Sequence, residues 1–597
     1  MASLSTSGEV NPQISTETAP NAINSNPLSG ATPQDVLADV NRFVEAKGLR
    51  EHRDAFRKGA LLARVQNIPD GYEDVDLLSN EEKEYIRYEV SHKWRASPPL
   101  LYLLCALCAG CAIVQGMDQT VINGAQAFYF KEFGIKDPLM QGFLNGAPYA
   151  SAALLGCWLN APLNDKFGRR GTIFVSCCIA ALTGIIQAAS SSWVDFMIGR
   201  LVLGIAVGAK SSTTPIYAAE SAPKEVRGAL TMMWQMWTAF GIMVGYAASL
   251  GFQNCDFLGE NSQWRWMIGV SSFPPIVVGA LVYLLPDSPR WYMDKGNYKK
   301  AFESMRKLRR HDIQAARDIY LAHTYLEAEK QSKEGKNLLK EFFTVRRNWR
   351  AAQSAWFCMF MQQFCGVNVI AYYSTRIFTD AGFSRDVALT ASFGCGVLNW
   401  LGALPAVLTI DRFGRRNLLL ATLPLLSVSL LWTAGSFQVQ DPQLRTSLVI
   451  ASVYVFMFIY SPGLGPVPFT YSAEAFPLHI RALGMASATA VTWALNFLIS
   501  FSWPKMMEAM TPTGGFCWYG AWNAVGFVFA YFLVPETKGR TLEELDEVFS
   551  VRNRDHALYY WRRLKYGVLK LARVDVERVP PLYEVIEGQP EPKPSNA

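Results

Sequence analysis

The sequence predicts an all-α membrane protein: twelve transmembrane helices in two six-helix halves, joined by a cytosolic helical linker. Three observations predict it. Of 597 residues, 50% are hydrophobic and 18% charged, with a mean hydropathy of +0.10; that charge is low for a soluble chain. The apolar residues come in uninterrupted runs of about 20, the length that crosses a bilayer. Three polar signatures recur in the same order in both halves.

Residues 1–98 form an N-terminal segment expected in the cytosol. Its first 32 residues are polar and rich in Ser, Asn, Thr and Pro, which predicts disorder and no cleavable signal peptide. Pro33 opens a helix, and Ser79 with the acidic residues behind it opens another. The first half, 99–286, carries spans expected at 99–122, 141–163, 171–190, 195–217, 230–251 and 266–286. A charged, helix-rich linker follows over 287–350. The second half, 351–535, carries spans expected at 351–374, 387–410, 417–436, 447–471, 483–504 and 514–535. A short tail, 536–597, closes the chain. Lys166, Arg169, Arg170, Lys224, Arg227, Arg412, Arg415, Arg416 and Arg481 fall in connections on one side, which puts that side and both termini in the cytosol.

Several function classes are excluded. The net charge of +6 is modest and forms no patch suited to nucleic acid. The 11 Cys lie mostly in apolar runs without paired spacing, and read as buried thiols rather than a zinc site or disulfide framework. There is no nucleophile elbow, P-loop or metal-ligand spacing, so no enzyme and no cofactor is expected.

The repeated signatures suggest a mechanical device. Asp165-Lys-Phe-Gly-Arg169-Arg170 follows the second span, and Asp411-Arg-Phe-Gly-Arg415-Arg416 follows the eighth. Glu220 and Arg227 follow the fourth span; Glu474 and Arg481 follow the tenth at the same spacing. Pro286-Asp-Ser-Pro-Arg290 closes the sixth span and Pro535-Glu-Thr-Lys-Gly-Arg540 the twelfth. A six-span unit is therefore duplicated, with both copies pointing the same way. The glycine allows a tight turn, and the arginines can fork onto the acids. Asp165, Arg169, Arg170, Glu220, Arg227, Asp411, Arg415, Arg416, Glu474 and Arg481 are expected to form a cytosolic gate network that holds the halves together.

The stretch Gln362 to Tyr373 sets three carboxamides and two phenols inside an apolar span. Such groups are costly in hydrocarbon without partners, and they suit a neutral, hydroxyl-rich solute. On one continuous helix Gln363 and Asn368 would fall away from Gln362, Tyr372 and Tyr373. Either the helix breaks near Gly366, or some of these residues glue helices together.

These residues resemble the sugar porter family of the major facilitator superfamily over about Pro99 to Phe549. The resemblance rests on Gly199-Arg200, Pro215-Ile-Tyr217-Ala-Ala-Glu220-Ser-Ala-Pro223, the two closing motifs, Gln362-Gln363 with Gly366-Val-Asn368 and Tyr372-Tyr373. The polar N-terminal segment is similar to that of a fungal branch. The resemblance implies the major facilitator fold, alternating access, and a sugar or polyol as cargo. It implies that Gln235, Gln362, Gln363, Asn368 and Asn399 hydrogen-bond hydroxyls and that Phe469 stacks near the ring; Tyr373, Thr492, Trp493 and Asn496 complete the candidate site. Phe469 stands where the family usually has Trp, and Thr492 where Asn is frequent. Gly116-Met117-Asp118-Gln119-Thr120 departs from the usual first-span motif. Hexose selectivity therefore stays open, with a polyol, an oligosaccharide and a sugar acid as other cargoes.

Asp118 is an acid within an apolar span, where a charge costs about 2.5–3.5 kcal/mol on insertion scales. In proton-coupled members of the family, the positions matching Asp118 and Arg200 form a pair. The expectation is that Asp118 takes up and releases the coupling proton beside Arg200; the other reading is a fixed structural ion pair. The expected function is secondary active transport of a hydroxylated solute by proton symport, at the plasma membrane. A non-transporting sensor on the same scaffold and a facilitative uniporter are the alternatives.

Overall fold

The computed structural model describes residues 26–28, 30–66, 68, 70–92, 95–257, 259, 261–333, 337–477, 479–538 and 542–571. Among these, the regular structure is helical throughout. Six stretches of continuous helix are long and apolar enough to cross a membrane: Pro99–Glu132, Pro138–Ala189, Gln263–Val282, Arg415–Ser436, Pro442–Tyr460 and Arg481–Leu533. Two of them, with 52 and 53 residues, are twice the length needed, and each turns back on itself, at Gly168 and Thr511. The other four crossings carry more polar side chains or are interrupted, which brings the total to twelve.

In chain order, α1 (Pro33–Ala46), α2 (Arg53–Val65) and α3 (Asn80–Ser91) precede the membrane. The first half holds α4 (Pro99–Glu132), α5 (Pro138–Ser151), α6 (Cys157–Ala189), α7 (Trp193–Ser221), α8 (Lys224–Gly251), α9 (Gln263–Val270) and α10 (Phe273–Val282). The linker holds α11 (Pro289–Asp294), α12 (Tyr298–Lys307), α13 (Asp312–Lys333) and α14 (Leu338–Thr344). The second half holds α15 (Arg346–Phe364), α16 (Val367–Ala381), α17 (Arg385–Ala403), α18 (Ala406–Phe413), α19 (Arg415–Ser436), α20 (Pro442–Tyr460), α21 (Val467–Ala475) and α22 (Arg481–Leu533). Beyond it lie α23 (Leu542–Ser550) and α24 (Asn553–Leu571). The first span runs on to Glu132, past the expected end at 122, because Asn123 and Gln126 find partners on α16.

The N-terminal segment and the linker form one body. Val40, Phe43 and Phe56 of α1 and α2 share a buried core with Phe302, Ile319 and Tyr320 of α12 and α13. A buried bidentate pair, Arg317 on Glu89, joins α13 to α3 at 3.1 and 3.0 Å. Ser79 caps α3 with a capping box, as its sequence suggests. The expectation of disorder over 1–32 needs correction at its end: Leu28 is buried, and Asn26 donates to the Ala63 carbonyl at 2.6 Å. Residues 1–25 lie outside the described residues, as does the tail beyond 571. The side of the membrane that carries this body is called the linker face below.

Two breaks in the second half shape its centre. Gly366 adopts φ 97° between α15 and α16, so the seventh span is two helices with different phases. The segment Ser461 to Pro466 separates α20 from α21 in the tenth span. The two breaks meet: the Leu464 and Gly465 carbonyls of the second accept from Gln362, which precedes the first.

Candidate functional site

A central cavity lies between the halves, lined by residues of both. Of the sequence-predicted solute residues, Gln235, Gln362, Gln363, Asn368, Asn399, Phe469, Thr492, Trp493 and Asn496 line it. Tyr373 does not. It is fully buried, donates to the Ser500 carbonyl at 2.8 Å and accepts from Asn145 at 3.2 Å. The helical wheel that grouped it with Gln362 assumed one continuous helix, and the break at Gly366 removes that phase relation.

The second half builds most of the wall. Gln362 donates to the Leu464 and Gly465 carbonyls at 3.2 and 2.9 Å, so the broken tenth span holds the amide of the broken seventh. Asn368 donates to Gln363 Oε1 across the Gly366 break. Ser461 donates to Asn399 Oδ1 at 2.6 Å, and Tyr372 to Asn496 Oδ1 at 2.9 Å. The first half adds Gln115 and Gln119 from α4, Ser211 from α7, and Trp234 and Thr238 from α8. Gln115 and Gln119 escaped the sequence reading; the signal was a pair of amides one turn apart in an apolar span. Gln115 has both amide atoms, and Trp493 its indole N–H, without a partner in the protein. No Asp, Glu, Lys, Arg or His is among the described lining residues. Such a wall offers donors, acceptors and rings to a neutral hydroxylated molecule, and no counter-charge to an acid or an amine.

On the side away from the linker face, α16 ties the halves together. Asn123 donates to Ser374 at 2.6 Å, Gln126 to the Tyr372 carbonyl at 2.9 Å, and Tyr246 to the Ala371 carbonyl at 2.9 Å. Tyr149 stacks on both Tyr372 and Trp493, with centroids 5.3 and 5.7 Å away.

Asp118 and Arg200 line a second, smaller cavity inside the first half, with Gln187 and Ser271. Both are buried. The expected direct pair is absent: Arg200 donates to the Leu144 and Asn145 carbonyls at 3.2 and 2.6 Å, and Asp118 Oδ2 has no hydrogen-bond partner in the protein. The carbonyls of α5 reach the guanidinium because Pro148 and the π-helical turn Ala152–Gly156 distort that helix.

At the linker face two networks repeat. Arg169 forks onto Glu220, both bonds 2.8 Å; Arg415 reaches Glu474 at 2.7 Å. Asp287 Oδ1 accepts the backbone N–H groups of Arg169 and Arg170 at 3.0 and 3.2 Å, and Glu536 accepts those of Arg415 and Arg416 at 3.0 and 3.1 Å. Ser288 bonds Glu220 as Thr537 bonds Glu474, at 2.5 and 2.7 Å. Gly168 and Gly414 have φ 73° and 90°, and a Cβ on either would stand 2.2 or 2.6 Å from the acid it cradles. Sequence reading missed Asp287, Glu536, Ser288 and Thr537; their signal was the acid and hydroxyl directly after Pro286 and Pro535.

Three expectations about this network are corrected. Among the described residues, the pairs Arg169–Glu220 and Arg415–Glu474 each close within one half. Asp165 is exposed and pairs with Lys295 at 2.6 Å, not with the arginines. Arg170 and Arg416 use their guanidinium groups on the Leu285 and Tyr531 carbonyls. Arg481 bonds the Phe476 carbonyl at 3.2 Å, with Glu474 and the linker residue Glu329 among the charges acting on it. The side chains of Arg227 and Asp411 lie outside the described residues.

Residues 104–549 match the family model "Sugar (and other) transporter". Polyol transporter 5 of Arabidopsis thaliana is 32% identical, over 75% of this chain and 86% of the relative. The myo-inositol transporter FST1 of Gibberella moniliformis is 28% identical, over 78% of this chain and 81% of the relative. Among solved structures, the proton:xylose symporter XylE bound to 6-bromo-6-deoxy-D-glucose superposes with a TM-score of 0.64 at 24% identity, over 75% of this chain and 99% of that one. That likeness concerns the fold.

Proposed function

The chain belongs to the family of sugar and other transporters, and from that membership we propose that it carries a neutral sugar or polyol across a membrane by alternating access with proton symport. The single observation that carries the solute class is the central cavity: amides, hydroxyls and aromatic rings without a charge. An acidic sugar would bring a carboxylate into that wall with no cation to meet it. The relatives named for polyols and myo-inositol support the same class. Phe469, which lines the cavity, offers the solute a ring face but no N–H donor.

The coupling site of the proposal is Asp118, an acid enclosed in the first half, with Arg200 fixed beside it by backbone carbonyls. Protonation would remove a buried charge and so favour one of two conformations. The linker face lies in the cytosol of this account because the basic connections collect there; the membrane proposed is the plasma membrane. Uptake of labelled D-glucose, D-xylose, D-mannitol and myo-inositol into transporter-deficient cells, at acid and neutral pH and with a protonophore, tests it. Concentrative, protonophore-sensitive uptake of one of these is expected. Uptake of none, or of a sugar acid alone, contradicts the reading.

A further inference from the structure

The helix α24 lies outside the family match, which ends at residue 549. It is fixed to the end of the last span along one side. His556, fully buried, donates to the Phe532 carbonyl at 2.8 Å, and the Tyr560 ring lies 4.0 Å from the Arg416 guanidinium. This docking sets the Trp561 indole beside the Phe532 ring, with centroids 6.2 Å apart. Phe532 is the next-to-last residue of α22, so Trp561 stands where the apolar span ends.

A second side of α24 is apolar and bare. Leu558, Trp561, Leu564 and Val568 are 44, 58, 41 and 61% exposed. At about 100° per residue they share an arc of about 120°. The stripe continues a row that lipid already covers. Val525, Val528 and Phe529 are exposed on α22 and lead to Phe532 at helical spacing, and Phe532 meets Trp561.

Charge completes the pattern. The helix carries five basic residues against one acid, Asp555. Arg554 and Lys565 lie within the apolar arc and Arg562 borders it. All three are exposed, and among the described residues none is in a salt bridge. Basic side chains set in an apolar stripe suit a membrane surface, where their stems cover hydrocarbon and their heads reach phosphate.

We propose that α24 is an interfacial helix that binds acidic phospholipid in the leaflet at the linker face. Leu558, Trp561, Leu564 and Val568 sit at the acyl boundary, and Arg554, Arg562 and Lys565 hold headgroup phosphates. His556 and Tyr560 keep the helix at that depth. The occupant is lipid rather than a second copy of this chain. The proposal goes beyond the transport reading and needs neither solute nor proton coupling.

The test is amide hydrogen exchange over residues 553–571 in the full chain, held as a single copy in lipid nanodiscs. One set of discs is phosphatidylcholine alone; the other is a three-to-one mixture with phosphatidylserine. Exchange in wild type should be about tenfold slower in the mixture. In the combined variant Arg554→Glu, Arg562→Glu and Lys565→Glu, the two lipids should give equal rates. In Trp561→Ser with Leu564→Ser, exchange should be fast in both. If the charge variant cannot be purified, wild type decides alone: its gain from acidic lipid should vanish in about 1 M salt, where charges are screened within about 3 Å. Equal wild-type rates in the two lipids overturn the proposal, as does a gain that survives charge reversal or high salt. Protection seen only in discs that hold two copies overturns it in favour of a chain–chain contact.

Discussion

At the linker face the two halves repeat each other group for group. Arg169 lies on Glu220 as Arg415 lies on Glu474, and Asp287 accepts from the turn after Gly168 as Glu536 does from the turn after Gly414. Midway through the membrane they part. The first half buries Asp118, Arg200 and Lys210 away from the central cavity. The second half breaks two spans and presents Gln362, Gln363, Asn368 and Asn399 to that cavity without a charge. The shared part is mechanical, whereas the first half buries Asp118 and Arg200 outside the central cavity and the second half builds most of the solute wall. A carboxylate among the amides would tie solute affinity to pH; in its own cavity it can titrate while the solute wall stays neutral.

The largest expected effect comes from erasing the charge of the first half. Asp118→Asn keeps the size and hydrogen bonding of the side chain but cannot exchange a proton. Concentrative uptake should vanish completely while downhill uptake survives, as read by accumulation with and without a protonophore. Protonophore-sensitive accumulation in this variant would break the division.

The repeated turns come next. Gly168→Ala and Gly414→Ala each force a side chain into left-handed backbone, at about 1–2 kcal/mol, and push on the acid beneath. The approach is closer at Gly168, 2.2 Å against 2.6 Å, so turnover or membrane level should fall further there. Equal, wild-type behaviour of both would show that the networks are ornamental to the cycle.

In the second half, Gln362→Ala and Gln363→Ala should weaken apparent affinity for the accumulated solute about 2- to 12-fold, the worth of one hydrogen bond of about 0.5–1.5 kcal/mol. The pH profile should not move. Unchanged affinity in both variants would remove the pair from the solute wall.

The smallest effect separates the network from its neighbour. Arg169→Ala should slow turnover with affinity unchanged, since it acts on the balance of two states. Asp165→Ala, exposed and paired only with Lys295, should leave both untouched within about 0.5 kcal/mol. A larger loss at Asp165 than at Arg169 would reverse the assignment.

Much of this was legible in the sequence, for physical reasons that also mark its limits. Polar groups are rare in an apolar span, so Gln362, Gln363 and Asn368 could be picked out singly, while Asn399 came only with the family resemblance; all four reach one cavity. Tyr373 could not be placed, because a positive-φ residue resets the helical phase and periodicity does not cross it. Arg200 and Asp118 share a cavity, but the competing acceptors on α5 come from a distorted helix that composition does not reveal. The amphipathic helices near Pro33 and Ser79 were visible as helices, yet their partners in α12 and α13 lie more than 200 residues away, and no local pattern encodes that contact.

The division between the halves is tested most directly by equilibrium binding of the accumulated solute to detergent-purified Asp118→Asn. Asn stands in for the protonated acid, so the account predicts a Kd within about twofold of wild type at acid pH, beside a weakened Kd for Gln362→Ala in the same assay. A loss of affinity in Asp118→Asn as large as that in Gln362→Ala would place the coupling acid in the solute site and contradict the account.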